Sequence, residues 1–460
     1  MNFEPSPTRL DKLEIKNFRC FSDLEVSFHE KLTVFVAPNG GGKTALLDAD
    51  CVGWHQFIKG MENDYVTKGI TGSDVRLALS PEGQMQSIKP VVIRGSTHVG
   101  NNPVGWSVDK GLSSAQNASA KDALGLWIAA YNLRKAVQDY AERKTTQPTT
   151  LPVLGFYGTG RLWSGKKVTE ARRKKIKADT SATSGYDDCL SASSHFELFE
   201  VWFERFSRSA QQERETGDIS PHRPADRIKV VAGAVDQLLK PTGWHSLSFD
   251  FGAETIIARH PVHGALPVSM LSDGLRIMIG LVGDIAHRCT RLNHHLGADA
   301  ARLTPGIIMI DEVDMHLHPE WQQMVLTALM DAFPLIQFIV TTHSPQVLTT
   351  VKRECIRILE QNDKGSWFAP LPSEEIKGLE SSIALNDVMD VNPIPDVPEA
   401  QWLKDYIALI ETGRHGFEEG SALRSKLVDL YGEQHPTIVD CDRLIRFQSF
   451  KRSKQPPAGQ

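Results

Sequence analysis

The eight residues Ala37-Pro38-Asn39-Gly40-Gly41-Gly42-Lys43-Thr44 restrict this chain more than any other stretch. They follow an apolar run, Leu32-Thr33-Val34-Phe35-Val36, and precede ALLDADCVGWHQFIKG, whose apolar residues recur at helical spacing. Strand, glycine turn and helix in this order fit GxxxxGK[ST], with Ala37 in place of the first glycine. Successive glycines let backbone N–H groups converge on one point, and the helix that follows turns its positive end toward it. The pattern predicts a phosphate cradle built from Asn39, Gly40, Gly41 and Gly42. Lys43 would neutralise the outer phosphates, and the Thr44 hydroxyl would ligate Mg²⁺. A nucleotide site is expected.

A second apolar run, Ile307-Ile308-Met309-Ile310, ends in Asp311-Glu312. Continuous apolar strands are buried on both faces, and open α/β sheets place ligands at the carboxyl ends of such strands. Asp311 is expected in the Mg²⁺ shell, and Glu312 as the base that deprotonates an attacking water. Upstream, Leu271-Ser272-Asp273-Gly274 opens an apolar helix expected over 275–286, with the Ser272 hydroxyl as its cap. Downstream, the strand-like Ile339-Val340-Thr341-Thr342 ends in His343.

Composition narrows the class. The 460 residues carry 51 Lys+Arg against 56 Asp+Glu, a net charge of −5, so wholesale electrostatic wrapping of DNA is not expected. Contact with DNA or RNA would need a local patch. The densest is Lys166, Lys167, Arg172, Arg173, Lys174, Lys175 and Lys177. No run approaches the ~18–20 apolar residues of a membrane span, and the first residues lack an apolar signal core, so a cytoplasmic protein is expected. Six scattered cysteines without a CxxC pair argue against disulfide or cysteine-zinc frameworks. Helices are expected near 121–144, 193–213 and 225–240, strands near 246–259, and little order in the Ser/Gly/Asn-rich stretch near 95–120.

In order and spacing, the glycine loop, the LSDG turn, the Asp-Glu strand and His343 resemble the ABC-type ATPase heads of the SMC, RecF and OLD-like families. Leu13-Glu14-Ile15-Lys16-Asn17-Phe18-Arg19 and Asp314-Met315-His316-Leu317-His318-Pro319 resemble the OLD-like and RecF-like branch. This resemblance implies an α/β head with a largely parallel central sheet, a helical insert and a helical C-terminal cap. The corresponding segments are 1–60 with the phosphate loop, 61–264 as insert, 265–350 as the second ATPase lobe, and 351–460 as cap and partner-docking region. It also implies that Ser272 and Gly274 contact ATP held by a second subunit and that His343 senses the γ-phosphate. The glutamine that usually follows the first lobe has no obvious counterpart, and Tyr157, Gly158 and Arg161 occupy the comparable region. His316 and His318 form a His-x-His pair without an evident third metal ligand.

The stretch 376–411 and Phe156-Tyr157-Gly158-Thr159-Gly160-Arg161 resemble the ATPase subunit of Septu-type antiphage systems, the PtuA family, found also in some retron operons. That resemblance implies an ATP-responsive homo-oligomer that regulates a separate HNH nuclease subunit, PtuB-like. The alternative is a RecF-like repair ATPase that dimerises on ATP and binds DNA. Asp440-Cys441-Asp442 is the one late Asp-x-Asp, without room for a nuclease fold around it.

Overall fold

In the computed structural model, residues 7–61, 69–111, 124–161, 181–191, 196–217, 224–363 and 365–453 are described. The centre is a five-stranded, wholly parallel sheet in the order Ile356–Ile358, Leu32–Val36, Ile336–Thr341, Gly306–Ile310, Val153–Tyr157. Every residue of its three middle strands is buried, as continuous β-branched and aromatic runs require. The phosphate-loop helix Lys43–Gly60 and the helix Asp273–Leu292 pack into the same core. Parallel alignment puts Val36, Ile310, Thr341 and Tyr157 at one end of the sheet, so the loops that leave them share one rim.

A four-stranded antiparallel sheet, in the order Phe21–Ser27, Thr8–Phe18, Val91–Val99, Asn102–Lys110, adjoins the phosphate-loop helix. The last two strands fall partly in the stretch where little order was expected. Gly95 and Gly105 lower its apparent strand propensity, yet Gly95 is required by packing: a Cβ there would lie 2.1 Å from the Trp106 ring. The connecting region holds the expected helices, Gly125–Ala141, Phe196–Thr216 and Pro224–Leu239, and a three-stranded antiparallel sheet over 245–267. The longest described helix has 21 residues, in keeping with the absence of heptad repeats.

The chain divides into two compact units, 1–389 and 390–460. The stretch 351–389 belongs to the first, with Ile376, Ala384 and Val388 in its core. The second unit has three helices, Pro398–Thr412, Glu418–Tyr431 and Pro436–Ser453, around Tyr406, Ile410, Leu427, Ile438 and Cys441. Asp440 and Asp442 lie on the last of these helices and pair with Arg443 and Arg424. No described helix is long and apolar enough to cross a membrane. The basic cluster 166–177 lies outside the described residues.

Candidate functional site: a phosphate loop beside two carboxylates

Gly40 and Gly42 take left-handed backbone angles, φ +79° and +82°, which side chains rarely tolerate. A Cβ on Gly42 would lie 2.6 Å from the Phe21 ring and 2.8 Å from Cys20 Sγ. Gly41 N donates to Pro38 O at 3.0 Å, and a Cβ on Gly41 would sit 2.7 Å from the Ala37 methyl. The alanine at the first motif position is therefore packed directly against the turn it begins. Lys43 is buried and donates to the carbonyls of Ala37 at 2.7 Å and Pro38 at 3.2 Å. Burial lowers the pKa of its ammonium, while the carboxylates of Asp311, Glu312 and Asp314 act to raise it. A desolvated cation is the partner an anionic phosphate would favour.

The acidic strand meets this loop through hydrogen bonds. Thr44 Oγ1 donates to Asp311 Oδ2 at 2.7 Å, and Thr341 Oγ1 donates to Asp311 Oδ1 at 2.7 Å. The Thr341 hydroxyl also accepts from Glu312 N at 2.7 Å. Both Asp311 oxygens are thus oriented by threonines, one in the first turn of the phosphate-loop helix and one at the end of the neighbouring strand, and Asp311 is 1% exposed. Glu312 is half-buried, with φ +50°. That left-handed geometry is uncommon for a residue with a side chain, and such conformations cluster at functional sites.

His343 is held by a second carboxylate. Asp314 Oδ1 accepts from Thr342 Oγ1 at 2.6 Å and from His343 N at 3.3 Å. Ser344 caps the short helix Pro345–Leu348 through Val347 N and donates to Gln322 at 2.7 Å. The loop after Glu312 and the loop bearing His343 are therefore joined by side chains.

Ser272 departs from expectation. It occupies the N-cap position of the Asp273–Leu292 helix, but its hydroxyl makes no capping bond, and the side chain is exposed. Gly274 packs beneath it: a Cβ there would meet His316 O at 2.7 Å. The near neighbours of this helix start are thus His316 and Leu317, the loop after the acidic strand. His318 Nδ1 accepts from Glu320 N at 3.4 Å as an N-cap, and no group of three metal-ligating side chains occurs among the described residues.

Thr341 and Asp314 are the site members that the motif search passed over. Thr341 closes an apolar run two positions before His343, and a hydroxyl at the end of a buried strand was its one signal.

Two family models match the chain. The AAA domain family matches residues 12–218, and a second AAA-domain family, whose description links it to AbiEii toxins of type IV toxin–antitoxin systems, matches residues 252–349. “Retron Vc95 probable ATPase” of Vibrio cholerae is 25% identical over 453 residues, covering 88% of this chain and 84% of that protein. “Septu protein PtuA” of Bacillus thuringiensis is 23% identical over 393 residues, covering 83% and 84%. The chain is a relative of the Septu and retron ATPases. “Retron Ec83 probable ATPase” of Escherichia coli is 35% identical over 183 residues, covering 38% of this chain and 31% of that protein. Among solved structures, the SMC head domain from Thermotoga maritima aligns with a TM-score of 0.40 at 15% identity, covering 80% of this chain and 100% of that one.

Proposed function

We propose that this chain is an ATP-binding, ATP-hydrolysing subunit of an antiphage defence assembly, in which the nucleotide state of paired heads governs a separate HNH nuclease. The observation that carries the ATPase reading is the bonded set Thr44–Asp311–Thr341–Glu312, beside Lys43 and the left-handed glycine turn. The defence assignment draws on the names of the retron and Septu relatives.

The side chains fit the implied groups. Asp311 and Thr44 offer hard oxygen ligands 2.7 Å apart, the donor type Mg²⁺ prefers. Bound there, Mg²⁺ would neutralise charge on the phosphate oxygens. Backbone N–H groups at Asn39–Gly42 and the start of the Lys43–Gly60 helix would hold the phosphates. Lys43 would exchange its carbonyl partners for phosphate oxygens. Glu312 would take a proton from water as the water oxygen bonds to the γ-phosphorus and the bond to ADP breaks. His343, fixed at its backbone by Asp314, would contact the γ-phosphate. The exposed, uncapped Ser272 and the adjacent Gly274 would meet ATP on a second copy. A hydroxyl that does not serve its own helix is free for that task.

Replacing Glu312 by Gln keeps the shape and removes the base. Turnover should fall at least a hundredfold, the usual scale of general-base catalysis. ATP affinity should persist and ATP-dependent association, measured as mass in solution, should rise. Wild-type turnover in the Gln variant refutes the assignment of Glu312. Co-purification with a small HNH protein tests the defence reading, while salt-sensitive DNA binding by an ATP-induced dimer alone would favour the repair alternative.

A further inference from the structure

A buried polar bridge runs from the rim of the central sheet to the Asp273–Leu292 helix. Tyr157 ends the edge strand beside Ile310, and its carbonyl accepts from Asp311 N at 2.9 Å. Its hydroxyl donates to Asp284 Oδ2 at 2.8 Å. Arg288 Nε donates to that same oxygen at 2.8 Å, and Arg288 Nη1 donates to the carbonyls of Gly185 at 2.8 Å and Asp187 at 2.9 Å. Tyr157, Asp284 and Arg288 are 3%, 4% and 5% exposed.

Packing alone does not call for these groups, because apolar side chains of similar volume fill such space with equal or greater stability. A directional bond adds registry between the two elements it joins. Burial, and then the Asp284 charge, raise the Tyr157 hydroxyl well above its ordinary pKa, so it remains a donor. Burial works against the Arg288 charge, but the Asp284 carboxylate more than offsets it. The bridge therefore keeps one proton arrangement at neutral pH. Midway along its length, beside Asp284, the helix is closely held, since a Cβ on Gly283 would lie 2.4 Å from the Phe199 ring. Ser272 precedes Asp284 by twelve positions, about 18 Å along a rigid helix.

The geometry points to Tyr157 and Asp284 as positioning residues that tie the Asp311 strand end to the helix beginning at Ser272 and Gly274, and so carry the nucleotide state of the phosphate loop to that helix end. This deepens, and rests on, the assignment of Lys43, Thr44 and Asp311 to ATP and Mg²⁺. Thr44 and Asp311 would touch the bound ligand, the Asp311 backbone rests on Tyr157, and the Tyr157 side chain links that strand end to Asp284.

The test uses the full chain with Tyr157→Phe, which keeps the ring and leaves the Asp284–Arg288 pair intact. Hydrogen exchange over 273–292 is followed with and without ATP and Mg²⁺, alongside ATP affinity and turnover. In the wild type, ATP should slow exchange in this helix. In the variant, ATP affinity should stay within about twofold while the exchange response is lost and kcat falls roughly tenfold, the worth of one hydrogen bond. Combining Tyr157→Phe with Ser272→Ala should be no slower than the slower single variant, because both act through one helix end. A multiplicative loss marks a purely structural tyrosine and overturns the inference. So does a variant whose helix responds like the wild type, or a wild type that binds ATP with no helix response. Should Tyr157→Phe fail to fold, the double variant Asp284→Leu with Arg288→Met, which removes the acceptor of the phenol together with its charge partner, is judged by the same two readouts. A wild type that binds no ATP brings down the nucleotide assignment itself, an outcome recognisable because Lys43→Ala then changes nothing.

Discussion

Asp50 makes the stability of this protein depend on pH in a calculable direction. It lies inside the phosphate-loop helix, 2% exposed, and among the described residues only the Trp54 indole approaches its carboxyl, without well-formed hydrogen-bond geometry. Burial pushes its pKa from 3.8 up to about 8, and the Trp54 indole one turn away opposes this only in part. An acid whose folded pKa is raised keeps its proton where the unfolded chain has released it. The folded state therefore binds more protons between pH 3.8 and about 8, and stability falls as pH rises through that window. At pH 7 the gap of roughly 3 units is worth about 4 kcal/mol at 1.36 kcal/mol per unit, and at pH 5 it is worth about 2 kcal/mol. Asp50→Asn removes the titration and keeps the side-chain shape. Urea unfolding of both proteins from pH 5 to pH 8 should show the variant's relative stability climbing by several kcal/mol across the series, whatever constant offset the amide brings. Parallel curves would mean that Asp50 is solvated or paired in solution, and the burial reasoning would be wrong.

Three further outcomes follow from the same contacts. Thr341→Val leaves Glu312 N and Asp311 Oδ1 without their shared hydroxyl, at roughly 1–3 kcal/mol for each unsatisfied group; turnover should need more Mg²⁺, visible in a magnesium titration of initial rates. Gly42→Ala forces a Cβ against Phe21 at a left-handed position, so equilibrium binding of a fluorescent ATP analogue should drop at least tenfold, a change of about 1.4 kcal/mol. Arg288→Met strands the buried Asp284 charge at a cost of about 3–5 kcal/mol, and adding Asp284→Leu should restore most of the melting temperature.

Much of the site was legible because its parts are local. A glycine turn between a strand and a helix, and an apolar strand ending in two carboxylates, each carry their chemistry within eight residues. The strands Gly306–Ile310 and Ile336–Thr341 were plain because burial on both faces leaves them almost wholly apolar, with Gln337 bonded to the Leu10 backbone as the exception inside them. The strand Val91–Val99 and its partner were obscured because Gly95 answers to Trp106, a contact with the neighbouring strand that no local pattern encodes. Tyr157 and Asp284 stand 127 positions apart, so nothing in either neighbourhood announced their bond. Ser272 had the right residue type for a cap, yet its hydroxyl is not spent there.

The order of strands in the central sheet also sets a clock on manufacture. Leu32–Val36 lies between Ile336–Thr341 and Ile356–Ile358, and Leu32 pairs with Phe338, 338 − 32 = 306 positions later. A ribosome adding about 5–20 residues per second needs about 15–60 s to make that stretch. Throughout the interval the strand that launches the phosphate loop has neither of its parallel neighbours, whereas the antiparallel sheet has all its strands once residue 110 is made. Competence to hold a nucleotide therefore arrives late in translation. A message broken before the codons for 336–341 yields a chain that lacks the strand leading to His343, and so a cell cut short at that point gains no half-working head.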